Sequence, residues 1–355
     1  MKSIHRMIMF VILALVLAAC AEQESSGEET ATPGDHSENK QEGSAKKEQP
    51  ESEFVYPLTG EPADEPVTNR IVAVMINNLE PARPQSGLLE ADIVYEFLAE
   101  GPITRLLALY QSEQPEVVGP VRSAREYYIE TAKGHGALYV YHGAATFLEE
   151  ELKKGWVDHL NGAYYDNDGH LFKREDFRVA PHNSYLLFDS VYEVAEKKGY
   201  EIEREHEPYS FLTESEISGI SGDSANTVTV TYSSRPLEEV RFEYDPEREK
   251  YVRYNDGEKT IDLETKEEVT VDNIFIIETG HRVIDDALRR AIDLTSGGKG
   301  YLIHRGVARE VEWKNTDGRM LPYIDDRPAG FVPGKTWINI VPDSPGITQS
   351  VQIEE

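Results

Sequence analysis

Residues 92–110 read DIVYEFLAEGPITRLLALY, and taking them as two strands and a turn decides the fold class. From Asp92 to Ala99 polar and apolar side chains alternate, the period of two that sends successive residues to opposite faces of a strand. Ile103 to Tyr110 is almost wholly apolar, as a strand buried on both faces requires. Between them Glu100-Gly101-Pro102 reads as a hairpin-type turn, since glycine accepts turn dihedrals and proline has no N–H for a ladder.

Outward from this pair, Arg70–Asn77 and Ala137–His142 are two more aliphatic strand segments. Helical segments lie between and after them. Ser123 with Glu126 has the spacing of a capping box, and the helix it opens is expected to stop at Gly134. Thr146 with Glu149 repeats that spacing, and Lys153, Lys154 and Gly155 close the second helix. A third helix is expected from Asn183 or Ser184 through Leu186, Leu187, Val191 and Val194 to Lys197-Lys198-Gly199. Strands alternating with helices imply an α/β (α+β) domain over residues 54–219, with layered helices on a mixed sheet.

From about residue 220 the pattern changes. Thr227–Tyr232, Val240–Tyr244 and Lys250–Tyr254 alternate cleanly, with Asp245-Pro246 and Asn255-Asp256-Gly257 as turns. Val271–Ile277, Lys299–His304, Ala308–Trp313 and Trp337–Val341 continue the series, and His281–Asp293 reads as loop and strand. Residues 220–355 are therefore expected to form a mainly antiparallel all-β domain, a small barrel or sandwich packed by Trp313 and Trp337.

The chain opens MKSIHRMIMFVILALVLAAC, where Lys2 and Arg6 precede an apolar run from Met7 to Ala19. That run is shorter than the roughly 20 residues of a membrane span and suits the core of a signal peptide. Leu17-Ala18-Ala19-Cys20 has the form of a bacterial lipobox, and Cys20 is the only cysteine of 355 residues. Residues 1–19 are thus expected to be a signal peptide and Cys20 the site of lipidation. The mature protein would then be lipid-anchored on the outer face of the cytoplasmic membrane. Residues 20–53, rich in Glu, Ser, Gly, Gln and Lys, are expected to be a disordered acidic tether. Its root-mean-square reach is on the order of 30 Å. A formal net charge of −29 argues against a nucleic-acid partner, so any bound anion needs a local basic pocket.

Several motifs in fixed order carry a family resemblance: Arg83–Leu88 (RPQSGL), Ala91–Glu96 (ADIVYE), Glu100–Arg105 (EGPITR), Gly119–Arg125 (GPVRSAR), Ala180–Asn183 (APHN) and Gly334–Ile338 (GKTWI). The sequence resembles the YerB-type bacterial lipoproteins, whose folded part is the domain of unknown function DUF3048 with N- and C-terminal portions. The resemblance covers about Phe54 to Pro342. It implies an extracytoplasmic, palmitate-type lipid-anchored protein of two-part architecture, and no reaction. Pro102 departs from the pattern, where a second glycine is expected, and removes one backbone donor from the turn.

The chemistry of these motifs lies in their arginines. If Ser123 caps the helix, Arg125 stands in its first turn and Arg122 just ahead, and each exposed cation there opposes the helix dipole by about 0.3–1 kcal/mol. Their compensation is either internal, from Asp92, Glu96, Glu100 or Glu126, or an external phosphate or carboxylate held by guanidinium forks and free amides. Arg83 and Arg105 belong to the same candidate anion site. Arg174, Arg178, His182 and Asn183 form a second group ahead of the third helix, with Asn183 a candidate cap. Asp92 and Glu96, four apart on a strand, share a face and read as arginine partners. No spacing suggests a metal site or a cofactor; His159 and His170 read as isolated surface residues. Ser86 and Ser123 have no adjacent base, so no catalytic residue is assigned.

The function expected is a non-enzymatic binding or regulatory module of the cell envelope. Its arginine-lined cleft would meet a cell-wall component or an envelope protein. The alternative is an enzyme acting on phosphorylated envelope precursors, phosphotransferase-like or pyrophosphatase-like. The order of the ADIVYE strand, an arginine-bearing loop and a helix is similar to that of the LytR-CpsA-Psr phosphotransferases, which cradle a lipid pyrophosphate with arginines.

Overall fold

A computed structural model describes residues 53–232 and 239–355; the expected signal peptide, Cys20 and the tether up to residue 52 lie outside the described residues. The reading of residues 92–110 holds. After β1 (Val72–Asn77), strands β2 (Ile93–Leu98) and β3 (Thr104–Tyr110) form an antiparallel hairpin in the register Glu96 opposite Leu106. Helix α1 (Glu126–Gly134), β4 (Leu138–Tyr141), α2 (Thr146–Lys153) and β5 (His159–Asn161) follow. Two short strands, β6 (Phe172–Arg174) and β7 (Ser184–Leu187), precede α3 (Val191–Lys197). Beyond residue 220 come β8 (Thr227–Thr231), β9 (Glu239–Asp245), β10 (Lys250–Asn255), β11 (Asn273–Thr279), β12 (Gly298–His304), β13 (Val307–Thr316), β14 (Arg319–Ile324), β15 (Thr336–Pro342) and β16 (Val351–Glu354).

The whole is a mixed α/β fold, mostly strand, built on one large mixed sheet and smaller antiparallel ones. Ten strands of the twelve-stranded central sheet run β14-β13-β12-β11-β15-β2-β3-β1-β4-β5, and the two-residue strands Arg327–Pro328, beside β14, and Asp223–Ser224, beside β13, complete it. Strand β15 lies between β11 and β2 and is parallel to both. The strands after residue 220 therefore divide between two sheets: β11 to β15 extend the central one, while β8, β9, β10 and β16 make a separate antiparallel sheet. Trp337 on β15 stands opposite Val94 on β2, so that tryptophan packs a core shared with the first half of the chain.

Alternation explains why β1 is apolar from Val72 to Ile76. Val72, Val74 and Ile76 enter one core and Ala73 and Met75 the other. Tyr127, Tyr128, Ile129, Leu148 and Leu152 of α1 and α2 cover the second face. The first face is covered by Phe172, Leu186, Val191 and the antiparallel sheet, through Val228, Val240 and Phe242.

Local signals at the helix starts are corrected. Helix α1 begins at Glu126 with Arg125, not Ser123, at the N-cap, because the Ser123 hydroxyl donates to the His142 carbonyl at 3.1 Å. Helix α2 has Ala145 at its N-cap, and Glu149 accepts from the Asn161 amide at 2.9 Å instead of closing a box with Thr146. The third helix starts at Val191, eight residues later than Asn183, because Ser184–Leu187 pairs as a strand with Val117–Val118 and with β6. Asn183 caps nothing; its Oδ1 accepts from Arg174 at 2.8 Å. His170 is exposed as expected, whereas His159 is buried on β5, with Nδ1 3.1 Å from the Val157 carbonyl. His281–Val283 and Arg290–Ile292 pair as short strands, as read from sequence.

Candidate functional site

Three of the family motifs meet where β1 ends. Each carries a cis peptide, at Arg83-Pro84, Gly119-Pro120 and Ala180-Pro181. Backbone hydrogen bonds tie the segments together: Ser86 and Gly119 exchange two, at 2.9 and 3.1 Å, and the Asn77 amide donates to Pro120 at 2.9 Å. The Arg122 amide donates to Met75 at 3.0 Å, and Val121 donates to Ser184 at 2.7 Å. From the second half of the chain, Asp262 Oδ2 grips the turn by accepting from the amides of Gly87 (2.6 Å) and Leu88 (3.1 Å). A Cβ on Gly87 would lie 2.9 Å from the Val117 carbonyl, at a φ of 83°, so this approach requires glycine.

The eight candidate residues sort by partner. Arg105 and Arg125 share Glu100; Arg105 reaches it at 2.7 Å, and Arg125 Nη1 also donates to its neighbour's carbonyl, at Ala124. Arg83 pairs with Asp256 at 2.7 Å and donates to the Asn78 carbonyl. Arg174 pairs with Asp166 at 2.7 Å. These four cations are compensated inside the molecule. The puzzle of cations at a helix N-terminus is answered for Arg125 by Glu100, a carboxylate on the β2–β3 turn.

Arg122, Arg178 and His182 differ. Arg178 donates to the Tyr185 hydroxyl and the Pro84 carbonyl (2.6 Å) and has no carboxylate partner among the described residues. Arg122 is half-buried, its Nε is buried without an acceptor, and no ion pair reaches it among the described residues. Burial, reinforced by the nearby Arg105 charge, lowers its pKa to about 10. His182 Nδ1 lies 2.8 Å from Asn77 Nδ2, which donates to it, so the neutral ring carries its proton on Nε2. Burial and the charges of Arg122 and Arg178 lower the His182 pKa. His142, which the sequence did not single out, also feels Arg122, and burial lowers its pKa. Its Nδ1 stands 2.8 Å from Ser184 Oγ. Arg122 and Arg178 are thus both close enough to His182 for their charges to disfavour its protonation.

The two strand carboxylates serve elsewhere. Glu96 is fully buried against Arg253 of β10 at 2.9 Å, and Trp337 Nε1 donates to it at 2.9 Å. Asp92 meets no arginine; Oδ2 accepts from the amides of Gln111 (2.6 Å) and Ser112 (3.0 Å), and the Ser112 hydroxyl donates to Oδ1. Arg253, in the stretch KYVRY, is the ionic residue that sequence reading missed; its place between Val252 and Tyr254 on a strand was the available signal.

Burial raises the Asp92 pKa from 3.8 to about 6, and its hydrogen bonds and Lys335 offset that only in part. The folded value lies above the unfolded one, so the associated stability is full below about pH 4 and is lost as pH rises through about 6. Asp92→Asn should remove this loss and make the protein more stable than its parent above about pH 7, by up to about 3 kcal/mol. No gain is expected near pH 4. Urea midpoints across that range are the check; a gain equal at both ends would contradict the assignment.

A mixed α/β fold with an uncompensated arginine–histidine cluster is the class this geometry defines. Residues 58–201 match the family described as Protein of unknown function (DUF3048) N-terminal domain, and residues 228–338 match its C-terminal domain. The chain belongs to the DUF3048 family. It is 47% identical over 289 residues, 81% of this chain and 86% of the other, to the Bacillus subtilis (strain 168) protein named "Putative lipoprotein YerB". The crystal structure of the B. subtilis YerB protein superimposes with a TM-score of 0.78 at 44% sequence identity, covering 85% of this chain and all of that one.

Proposed function

We propose that this chain is a lipid-anchored, extracytoplasmic module that binds a phosphate or carboxylate group on Arg122, Arg178 and His182, without catalysing a reaction. The observation that carries the reading is Arg122, a half-buried guanidinium without an acceptor beside two further cationic or donor side chains. An unpaired cation taken out of water is costly, and an anion removes that cost. The lipobox-like LAAC sequence ending at Cys20 and the polar, acidic composition of residues 20–53 support an anchored body on the outer face of the cytoplasmic membrane, within reach of wall components and envelope proteins. The name of the B. subtilis relative supports the lipid anchor.

Inorganic pyrophosphate is the probe. It should raise the melting midpoint of the parent protein, by an amount equivalent to about 2.7 kcal/mol at a hundredfold excess over Kd. Arg122→Met should abolish that rise while leaving the ligand-free stability equal or higher by up to about 1 kcal/mol, because no native partner is lost. A parent protein unmoved by pyrophosphate, or a variant that unfolds without it, sinks the reading.

An enzymatic reading has one supporting observation, the contact between His142 and Ser184. Ser184 is only 3% exposed, which closes its hydroxyl to a substrate. Release of phosphate from pyrophosphate, lost in Ser184→Ala, would restore that alternative.

A further inference from the structure

We propose that a second pocket, at the carboxyl ends of β2, β8 and β15, binds a short zwitterionic peptide, its ammonium at Asp343 and its carboxylate at Arg290. The pocket encloses about 580 Å³ and is lined by Leu98, Tyr232, His281, Arg290, Asp343 and Ser350 among others. Leu98 and the neighbouring Thr231 and Pro342 are the last residues of their strands, and the carboxyl ends of sheet strands are where layered α/β folds hold ligands. No side chain is shared with the Arg122 cluster.

Three buried polar atoms in this one pocket have no hydrogen-bond partner: Arg290 Nε, His281 Nε2 and Ser350 Oγ. Most buried polar groups in folded proteins have a partner, so three such atoms gathered at one cavity point to a ligand. Arg290 Nη2 donates to the Gly101 carbonyl at 2.7 Å, which fixes the guanidinium and leaves Nε–H as a donor. His281 Nδ1 stands 2.8 Å from the Thr279 carbonyl and must donate to it, so the neutral ring offers its Nε2 lone pair as an acceptor. Burial lowers the His281 pKa to about 4, which keeps the ring neutral at ordinary pH. Its surroundings include Arg290 on one hand and Asp343 on the other, charges of opposite sign. Neither of those two makes an ion pair among the described residues, with each other or with any other group.

A cation, an acceptor and an anion left unpaired around one cavity match a peptide's carboxylate, amide N–H and ammonium. Ser350 adds a hydroxyl, and Leu98 and Tyr232 supply apolar walls for a side chain. A simple anion would leave Asp343 facing it, and a simple cation would face Arg290, so each alone fits worse than a ligand carrying both charges.

Isothermal titration of the full chain in detergent, with Ala-Leu, its N-acetyl form, its C-terminal amide and glucose as ligands, is the test. Ala-Leu should bind, and blocking either end should weaken binding by at least about tenfold. Asp343→Asn, at an exposed position, should erase the preference for the free ammonium over the N-acetyl form. Arg290→Gln should erase the preference for the free carboxylate over the amide, with Arg290→Lys keeping part of it. The lysine variant also decides if the glutamine variant does not fold. Absence of Ala-Leu binding to about 10 mM, equal binding of all three dipeptides, or binding of glucose in their place overturns the proposal.

Discussion

Replacing Glu96 by leucine should cost this protein about 3–5 kcal/mol of stability, the penalty for leaving a buried charge without its partner. Arg253 is 1% exposed and Glu96 not at all, and their contact joins β2 of the central sheet to β10 of the antiparallel sheet. Four donors converge on this carboxylate: Arg253 Nη2 and Trp337 Nε1 on Oε2, the Thr104 hydroxyl and the Asn78 amide on Oε1. The Arg253 guanidinium also stacks over the Trp337 ring at 4.2 Å. Removing the carboxylate takes the acceptor from Trp337 Nε1 and the counter-ion from Arg253, while Asn78 keeps Thr104 and Asn255 as acceptors. Arg253→Met alone should cost a similar amount, whereas the double replacement should recover the part due to the unpaired charge and leave the part due to Trp337 Nε1, which still lacks its acceptor. Urea denaturation of the two single variants and the double closes the cycle. Single losses below about 1 kcal/mol would show that water reaches the pair.

Gly134→Ala should be nearly as severe, at about 3 kcal/mol or more. Gly134 ends α1, and a Cβ built there would lie 2.1 Å from the Gly318 carbonyl oxygen and 2.4 Å from its carbon. Both contacts are backbone, so no side chain can turn aside. The helix must part from the hairpin of β13 and β14, loosening Tyr127, Tyr128 and Ile129 from the core they share with Trp313 and Met320. Alanine suits a helical backbone better than glycine, so an intrinsic effect would have the opposite sign and stabilise the protein. A raised melting temperature would therefore show that the two glycines do not touch.

The gap between sequence and structure lies in what the arginines meet. Arg105 and Glu100 are five residues apart, and the turn that joins their strands brings them together, so that pair was within reach of sequence reading. Arg125 finds the same carboxylate from 25 residues away, and Arg253 finds Glu96 from 157 away. Those distances are closed by the sheet, and nothing local encodes them. Capping spacings failed for the same reason. Ser123 and Asn183 have the composition of caps, but the carbonyl of His142 and the guanidinium of Arg174 claimed them first.

What the sequence determined by itself is local and periodic: the β2–β3 hairpin, the existence of α1 and α2, and the alternating strands after residue 227. Dihedral preference and side-chain period act over a few residues, and the chain states them directly. The tertiary structure alone decided that β15 enters the sheet between β2 and β11, because parallel neighbours are chosen by packing across hundreds of residues. Apart from the Arg105–Glu100 pair, it alone decided which cations are compensated. Arg83, Arg105, Arg125 and Arg174 each found a carboxylate once the loops closed, and Arg122 did not.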